Sequence, residues 1–403
     1  MKKAIKGICL IMISLGVFLI TAIVYGFYSL PDDIYSFSKQ DIDVGFYSCS
    51  LPENKDTVYE TDRATEEYKL NISLFNKIPV KTSNLTVSNR RYVVPSGEIV
   101  GLRLFAKGVM VINVDEVDVN KGRINPGKLA KLQKGDVITE IDGIKVESSV
   151  QVDKIISSAC GKALNIAYTR NGISYSTVIT PVYSVTEKRY KTGLWIRDSA
   201  AGIGTMTFYE KNSGFFACLG HAVCDIDTGE VLPLSGGDIV EASIGGCVKG
   251  RSGMAGELCG NFKVKSLGNL FVNESCGVFG YLNATDKNAK EVPIALKSEI
   301  KTGYAQIIST VENENKAYYD IEIEKITPDN KDDKNMVIKI TDAELIEKTG
   351  GIVQGMSGSP IIQDGRLVGA VTHVFLNDPT RGYGIFAETM LRQSKNIKLK
   401  QAG

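Results

Sequence analysis

The longest uninterrupted apolar stretch of the chain lies near its N-terminus, from Gly7 to Leu30. Lysines precede this stretch, and Pro31-Asp32-Asp33 follows it. Its 24 residues would form a helix about 36 Å long, which exceeds the roughly 30 Å hydrocarbon core of a bilayer. We predict a signal anchor over residues 7–30 and a cytoplasmic tail over residues 1–6. The rest of the chain then lies outside the membrane, because positive flanks stay in the cytoplasm.

Beyond the anchor, apolar and polar residues alternate in short runs, which predicts a mainly β protein. Residues 31–65 are polar with little periodicity and indicate a juxtamembrane linker, while runs from Tyr68 to Val94 indicate a few strands. We therefore predict a linker with a small β region over residues 31–96. Farther along, Tyr318–Glu324 and Met336–Ile340 alternate as half-exposed strands. The 40 glycines are about 10% of the chain against a usual ~7%, which indicates many tight turns.

Residues 97–182 combine strands, turns and helical segments. Two short strands are predicted over Glu98–Leu104 and Gly108–Ile112, and another over Val137–Ile141. Helical spacing covers Ser148–Ser158, and Arg170-Asn171-Gly172 is typical of a hairpin turn. The string from Leu132 to Gly143, Leu-x-x-Gly-Asp-x-Ile-x-x-Ile-Asp-Gly, resembles a bacterial PDZ domain, which has an α+β fold. This resemblance implies that Val100-Gly101-Leu102 is a peptide-binding loop, and that the strand after it takes up a peptide by β-augmentation.

Charge and composition narrow the classes of function. The chain has 47 Lys and Arg against 46 Asp and Glu, a net charge of +1, so we predict no nucleic-acid partner. It has only two histidines, His221 and His373. Any imidazole chemistry must use one of them.

The sharpest local motif is Gly355-Met356-Ser357-Gly358-Ser359-Pro360. A nucleophilic serine needs a tight turn that exposes its Oγ, and backbone N–H groups that converge to receive an oxyanion. Flanking glycines permit that backbone. We predict Ser357 as the nucleophile and the N–H groups of Gly355 and Ser357 as the oxyanion hole. Ser359 is the neighbouring alternative, and Ser252, in Gly250-Arg251-Ser252-Gly253, is a weaker one.

A serine hydroxyl needs a nearby base, and a buried carboxylate commonly orients that base. His221 ends an apolar strand and can project into a cleft, while His373 is a supporting candidate. Asp342 is a candidate acid, although the spacing from Thr341 to Glu344 also fits a helix capping box. Asp225 and Asp227, close to His221 in the chain, are the other candidates.

The cysteines allow a second interpretation of the same region. Cys218-x2-His221-x2-Cys224 could supply three metal ligands, with Cys247 or Cys259 as a fourth. Structural zinc sites more often begin from a C-x2–4-C pair, so small buried cysteines are the favoured interpretation. We predict no metal and no other cofactor.

The combined pattern resembles the stage IV sporulation protein B peptidase family. The resemblance covers nearly the whole chain and implies a trypsin-like double β-barrel peptidase domain over residues 183–403. It also implies that His221 is the general base, Asp342 its orienting acid and Ser357 the nucleophile. Met356 stands where peptidases activated by cutting carry an aspartate. The matching strings are Gly193–Thr205, Leu219–Ala222, Gly351–Pro360, Thr372–Val374 and Asn377–Gly384.

The resemblance further implies a pathway and partners. Such a peptidase lies in the forespore membrane facing the intermembrane space, cleaves itself and cuts a membrane-bound protein like stage IV sporulation protein FA. Its PDZ domain would bind the substrate or the enzyme's own N-terminal region or tail. The alternative from another class is a catalytically inert PDZ scaffold at the membrane surface.

Overall fold

The computed structural model describes residues 2–36, 42, 44–51, 56–60, 63–87, 89–328, 330 and 333–393. The chain divides into two compact units, one formed by residues 1–91 with 293–299 and the other by residues 92–292 with 300–403. Both are built mainly from β-strands, as the alternating pattern predicts.

The first unit joins the apolar helix to a small sheet. Helix α1 covers Lys2–Ser29, and its segment Leu10–Ser29 is long and apolar enough to cross a membrane. The sheet has the order β1-β5-β4-β2, with β3 paired to β4. Ala22 and Leu30 of the chain near the helix end are buried against this sheet. The strands are β1 (Asp33–Ser36), β2 (Ser48–Ser50), β3 (Asp56–Glu60), β4 (Arg63–Leu74) and β5 (Ile78–Val87).

Within the described part of residues 31–65, the structure has strands in much of the segment that the sequence predicts as a linker. Strands β1, β2, β3 and the start of β4 occupy this segment, because their partners in β4 and β5 satisfy the backbone of a polar sequence. Residues 37–41, 43, 52–55 and 61–62 of the prediction lie outside the described residues. The strands predicted from Tyr68 to Val94 are confirmed by β4, β5 and β6 (Tyr92–Pro95).

The segment predicted as a PDZ domain contains its expected local elements. Strand β10 (Val137–Ile141), helix α3 (Ser149–Ser158) and the hairpin of β12 (Leu164–Arg170) and β13 (Ile173–Ile179) match the predictions, and Ser148 caps α3. Their apolar faces enclose a core with Val109, Ile138 and Ile156. The other elements are β7 (Ile99–Val114), β8 (Val117–Val119), β9 (Gly122–Ile124), α2 (Pro126–Leu129), β11 (Ile144–Lys145), β14 (Val182–Ser184) and β15 (Arg189–Lys191).

Strand β7 belongs to two assemblies at once. Its second half pairs with β10, while its first half enters a ring of strands in the order β7-β18-β19-β20-β17-β16 that returns to β7. Leu102, Phe216 and Leu270 are among the side chains that fill the ring. The ring strands after β7 are β16 (Leu194–Tyr209), β17 (Phe215–Cys218), β18 (Leu234–Val248), β19 (Glu257–Glu274) and β20 (Gly277–Leu282).

This pairing corrects the predicted peptide-binding loop. Val100, Gly101 and Leu102 lie inside β7 and pair with β16 on one edge and β18 on the other. All three are buried. A strand with both edges occupied cannot accept a peptide by β-augmentation, so the prediction for these residues is wrong.

The C-terminal part forms a closed barrel in the order β22-β23-β24-β27-β26-β25. The predicted strand Met336–Ile340 is confirmed as β24. The remaining elements are β21 (Val292–Pro293), a 3-10 helix (Lys297–Glu299), β22 (Gly303–Glu312), β23 (Asn315–Ile326), α4 (Ala343–Thr349), β25 (Pro360–Gln363), β26 (Arg366–Phe375) and β27 (Asp378–Phe386).

Candidate active site

Ser357 lies on a tight turn just before β25. The turn needs its glycines, because Gly355 has φ +98° and Gly358 has φ +96°, a region that side-chain-bearing residues rarely adopt. The Met356 side chain, in the middle of the turn, is fully buried. Ser357 is half-buried, and its Oγ donates a hydrogen bond of 2.7 Å to the Thr372 carbonyl. The local sequence therefore forms the tight serine turn that the motif predicts, with the Ser357 side chain partly accessible.

Strand β16 of the ring also contacts this turn, through Thr205. The Thr205 N–H donates to the Ser357 carbonyl at 3.0 Å, and the Thr205 Oγ1 donates to the Gly355 carbonyl at 2.7 Å. Gly358 packs so closely that a Cβ there would lie 2.1 Å from the Thr205 oxygen and 2.6 Å from the Leu219 nitrogen. Because Leu219 comes two residues before His221, this contact joins the serine turn to the histidine segment.

His221 follows β17 on a segment with unusual backbone angles, since Leu219 has φ +68° and Gly220 has φ +71°. Its Nδ1 lies 2.8 Å from the Ala222 carbonyl. A carbonyl can only accept, so Nδ1 carries the proton and Nε2 is left as the acceptor. Burial lowers the pKa of His221 below its ordinary value. The ring is therefore neutral at pH 7, the form that a general base requires.

Asn273 fixes the segment that carries His221. Its Oδ1 accepts from the Val223 N–H at 2.8 Å, and its Nδ2 donates to the carbonyls of Val223 at 2.8 Å and Leu232 at 3.0 Å. The sequence analysis did not single out Asn273, because an asparagine within an alternating strand has no local signature.

Ser357, His221 and His373 line one cavity of about 820 Å³. The two imidazole rings lie 4.9 Å apart, centroid to centroid. Desolvation of the His373 ring, together with the nearby His221 and Lys334, lowers the pKa of His373 to about 4. The cavity thus brings together the predicted nucleophile, the predicted base and the second histidine. β7, β16 and β26 also contribute to its wall.

Asp342 does not line the cavity that His221 and Ser357 share. Its carboxylate caps α4, accepting from the Leu345 N–H at 2.9 Å and from the Asp320 N–H at 3.3 Å. The group bound to the His221 Nδ1 is a carbonyl, not a carboxylate. The helix is thus capped by Asp342 itself rather than by Thr341, and no described contact joins the Asp342 carboxylate to His221, so its role as orienting acid stays a prediction.

The alternative acids are also engaged elsewhere. Asp225 lines the cavity, but its carboxylate pairs with Arg197 and accepts from the turn N–H groups of Asp227 at 3.1 Å and Thr228 at 2.8 Å. Asp227 pairs with Arg197 at 2.7 Å. These contacts hold the turn after His221 in place rather than the imidazole itself.

Replacing Asp342 separates the two interpretations of this residue. Asparagine caps a helix about as well as aspartate, so Asp342→Asn should leave both the cleavage rate and the unfolding free energy nearly unchanged, while Asp342→Ala should lose about 1 kcal/mol of stability. An orienting acid would instead lose roughly 10⁴-fold in turnover on the change to asparagine. Chemical denaturation and the cleavage rate of both variants decide between these outcomes.

The predicted oxyanion groups are free to receive a ligand atom. Within the described ranges of the chain, neither the Gly355 N–H nor the Ser357 N–H donates to a protein acceptor. The two alternative serines have other roles. Ser359 is buried and donates to the Ser309 Oγ at 3.0 Å, and Ser252 donates to the Asn377 carbonyl at 3.0 Å. Neither of them lines the cavity.

The cysteines near His221 are dispersed. Cys218 is fully buried in the ring core, where burial raises the pKa of its thiol, while Cys224 is exposed. Among the residues with described positions, no three His, Cys, Asp or Glu side chains gather to hold a metal ion.

A serine on a glycine-framed turn, with a neutral imidazole and free N–H groups beside it, defines the site of a serine hydrolase. The sequence profile of the family described as SpoIVB peptidase S55 matches residues 188–391. The chain belongs to this peptidase family, which confirms the predicted resemblance.

Other similarities cover smaller parts. The pro-apoptotic serine protease NMA111 of Meyerozyma guilliermondii is 34% identical over 62 residues, which are 15% of this chain and 6% of that protein. The chain thus spans a small fraction of this curated relative. The PDZ domain of the SdrC-like protein of Listeria monocytogenes is 24% identical over 22% of this chain and 87% of its own, with a TM-score of 0.19. An inactive form of Rv3671c from M. tuberculosis H37Rv is 15% identical over 49% and 83% of the two chains, with a TM-score of 0.27.

Proposed function

We propose that this protein is a membrane-anchored serine endopeptidase in which His221 activates Ser357. The single observation that supports this most strongly is the shared cavity of the serine turn and the neutral imidazole. His221 Nε2 takes the proton as the Ser357 Oγ attacks a peptide carbonyl, and the N–H groups of Gly355 and Ser357 receive the oxyanion. The protonated His221 then gives its proton to the leaving amine, and water releases the acyl group. Before attack, the Ser357 hydroxyl must turn away from the Thr372 carbonyl.

The strand pairing supports a trypsin-like double β-barrel for the peptidase domain. One barrel is the ring from β7 to β20, and the other is the closed barrel from β22 to β27. The cavity takes its wall from both, with Leu102 and Ile203 from the ring and Val374 from the closed barrel. A substrate chain would lie in the cleft where the two barrels contact.

In this proposal a peptide binds at the edge of β16, not at the strand that follows Val100-Gly101-Leu102 as the sequence predicts. A groove of about 540 Å³ runs between α3 and the start of β16. Leu194–Arg197 of β16 pair with β7 on one edge only, as far as the structure describes the chain. Asp198 fixes the groove by accepting from the N–H and Oγ of Ser149 at 2.8 and 2.9 Å. The free edge supports a PDZ-type groove that binds an extended peptide.

The charge of the groove favours a basic peptide. Of the described residues that line it, five are acidic and two are basic. Residues 394–403 lie outside the described residues, and this segment carries Lys395, Lys398 and Lys400. We propose the enzyme's own tail as the ligand, with its N-terminal region and the terminus of a membrane-bound substrate as the other candidates.

Family membership and helix α1 support a role in sporulation signalling. The apolar segment Leu10–Ser29 would anchor the protein by a single pass, with the catalytic domain outside the membrane. In this proposal the protein lies in the forespore membrane, faces the intermembrane space, cleaves itself and cuts a membrane-bound protein like stage IV sporulation protein FA.

The pH dependence of serine labelling tests the proposed mechanism. Because burial lowers the pKa of His221 from 6.5, the neutral base is dominant at pH 6.5 and is lost only as the pH falls through the lowered pKa. A fluorophosphonate probe should label Ser357 at more than half of its plateau rate at pH 6.5. Labelling rates between pH 4.5 and 8 provide the measurement. A midpoint above pH 6.5, or labelling that persists in His221→Ala, would contradict the role of His221.

A further inference from the structure

The edge of β16 that faces away from β7 is unpaired over much of its length. Strands β17 and β6 cover this edge at Met206–Tyr209. From Leu194 to Gly204 the strand pairs with β7 only, as far as the structure describes the chain. At both register shifts the extra residues belong to β7, so β16 continues as one extended strand. It therefore presents backbone N–H and C=O groups to a further strand.

The two proposed binding regions lie along this one edge. Leu194, Trp195 and Ile196 line the groove beside α3, and Ser199–Ile203 line the cavity that holds Ser357. Successive side chains of a strand point to opposite faces of its sheet. Consecutive residues that all line one cavity therefore mean that the cavity follows the strand edge itself. The groove and the cavity are successive parts of the same edge.

The stretch of β16 that joins them leaves room for a second backbone. Its charged residues, Arg197 and Asp198, are held by other elements, Arg197 by acidic groups of the turn after β17 and Asp198 by the start of α3. Toward Ser357 the side chains of the edge are small, with Ala200, Ala201 and Gly202 in sequence. A Cβ added at Gly202 would meet nothing within 4 Å.

We propose that a substrate chain pairs with β16 along this whole edge, so that the groove holds a basic segment while Ser357 attacks a bond at a fixed distance before it. This inference rests on the proposed function of Ser357. Antiparallel pairing is the more stable arrangement. Because β16 runs from the groove to the cavity, an antiparallel substrate runs from the cut bond to the groove. The acidic lining of the groove favours Lys and Arg in the segment bound there.

The length of the edge sets the distance. Ile196 at the groove and Ile203 at the cavity are seven residues apart on β16, about 23 Å of extended chain. An antiparallel ladder pairs residues one to one, so the basic segment should begin about seven residues after the cut bond. The substrate class is therefore a protein segment that is extended at the cut and basic about seven residues later.

Cleavage of a peptide mixture by the full-length chain in detergent tests this distance. Peptides from a glutamate-specific digest of a bacterial lysate keep their Lys and Arg residues, and mass spectrometry locates each cut. Cuts that also occur with Ser357→Ala are subtracted. Lys and Arg should be enriched at least about threefold at about six to nine residues after the cut. In a synthetic copy of one cleaved peptide, three alanines inserted before the basic residues should move the cut by three residues toward them.

A variant of the groove tests where the basic segment binds. Trp195 is 58% exposed in the groove and would pack on that segment, so Trp195→Ala should lower the enrichment at least about threefold. Tyr318→Ala is the matched control, because Tyr318 is 60% exposed and lines neither the groove nor the cavity. Circular dichroism checks the fold of both variants. Enrichment that survives in Trp195→Ala places the basic segment outside the groove and overturns the proposal.

Fluorophosphonate labelling of Ser357 in the same samples separates this inference from the proposed function. Labelling with cuts that lack basic residues at a fixed distance, or without any cuts, overturns the shared edge and leaves the serine enzyme standing. A cut that stays with its own side chains after the alanine insertion overturns the shared edge as well. Absence of labelling overturns the proposed function, and this inference with it.

Discussion

Ser357→Ala is expected to abolish peptide-bond cleavage, with the turnover falling by roughly 10⁴- to 10⁶-fold. Of the three candidate serines, Ser357, Ser359 and Ser252, it is Ser357 that lines the cavity, and its hydroxyl supplies the covalent step of the proposed mechanism. His221→Ala should have a comparable effect, because a serine at its free pKa is a poor nucleophile. Self-cleavage of the purified chain, followed over time on a gel, measures both losses.

The matched control for this prediction is Ser252→Ala. Ser252 also lies between glycines, but its Oγ donates to the Asn377 carbonyl and it does not line the cavity. Its removal should leave the cleavage rate within about threefold of the parent, as for a surface substitution. Cleavage that persists in Ser357→Ala would favour the inert-scaffold alternative, with a contaminating protease as the source of the activity.

Gly358→Ala is expected to cause the largest loss of stability. The added Cβ would lie 2.1 Å from the Thr205 oxygen and 2.6 Å from the Leu219 nitrogen, and both are main-chain atoms that cannot turn aside. The φ of +96° adds backbone strain. We expect the free energy of unfolding to fall by at least about 3 kcal/mol, together with loss of cleavage, because the same contact links the serine turn to the histidine segment.

Gly365→Ala provides the comparison. Its φ is +72°, yet nothing lies within 4 Å of the added Cβ. Only the backbone strain remains, so the expected loss is about 1 kcal/mol. Urea unfolding of the two variants separates strain from steric overlap. Equal losses in both would mean that the serine turn can move away from the ring, and the close contact would then not be a fixed link.

Local patterns predicted the elements whose signals lie within a few residues of each other. The α3 helix begins one residue after its Ser148 cap, and the strand Val137–Ile141 has the predicted bounds. The turn around Ser357 could be predicted because glycines flank the serine where positive φ is required. In each case the residues that determine the conformation are neighbours in the chain.

Long-range pairing explains the predictions that were wrong. Two short strands were expected between Glu98 and Ile112, but β7 is one strand because β16 and β18, about one hundred residues away, pair along it. Asp342 is a local case instead, because the sequence indicated a capping box that starts at Thr341, whereas Asp342 itself caps the helix that follows. Asn273 carries no local signal at all, since its partners belong to the segment from Val223 to Leu232.

The shared strand β7 has a consequence for dissection of the protein. Removal of residues 97–182 as a detachable module would also take away the first half of β7, which pairs with both β16 and β18. The strand ring would then lack one of its strands, and its apolar core would be exposed to water. Residues 97–182 therefore cannot be removed or exchanged at that boundary without disrupting the strand ring.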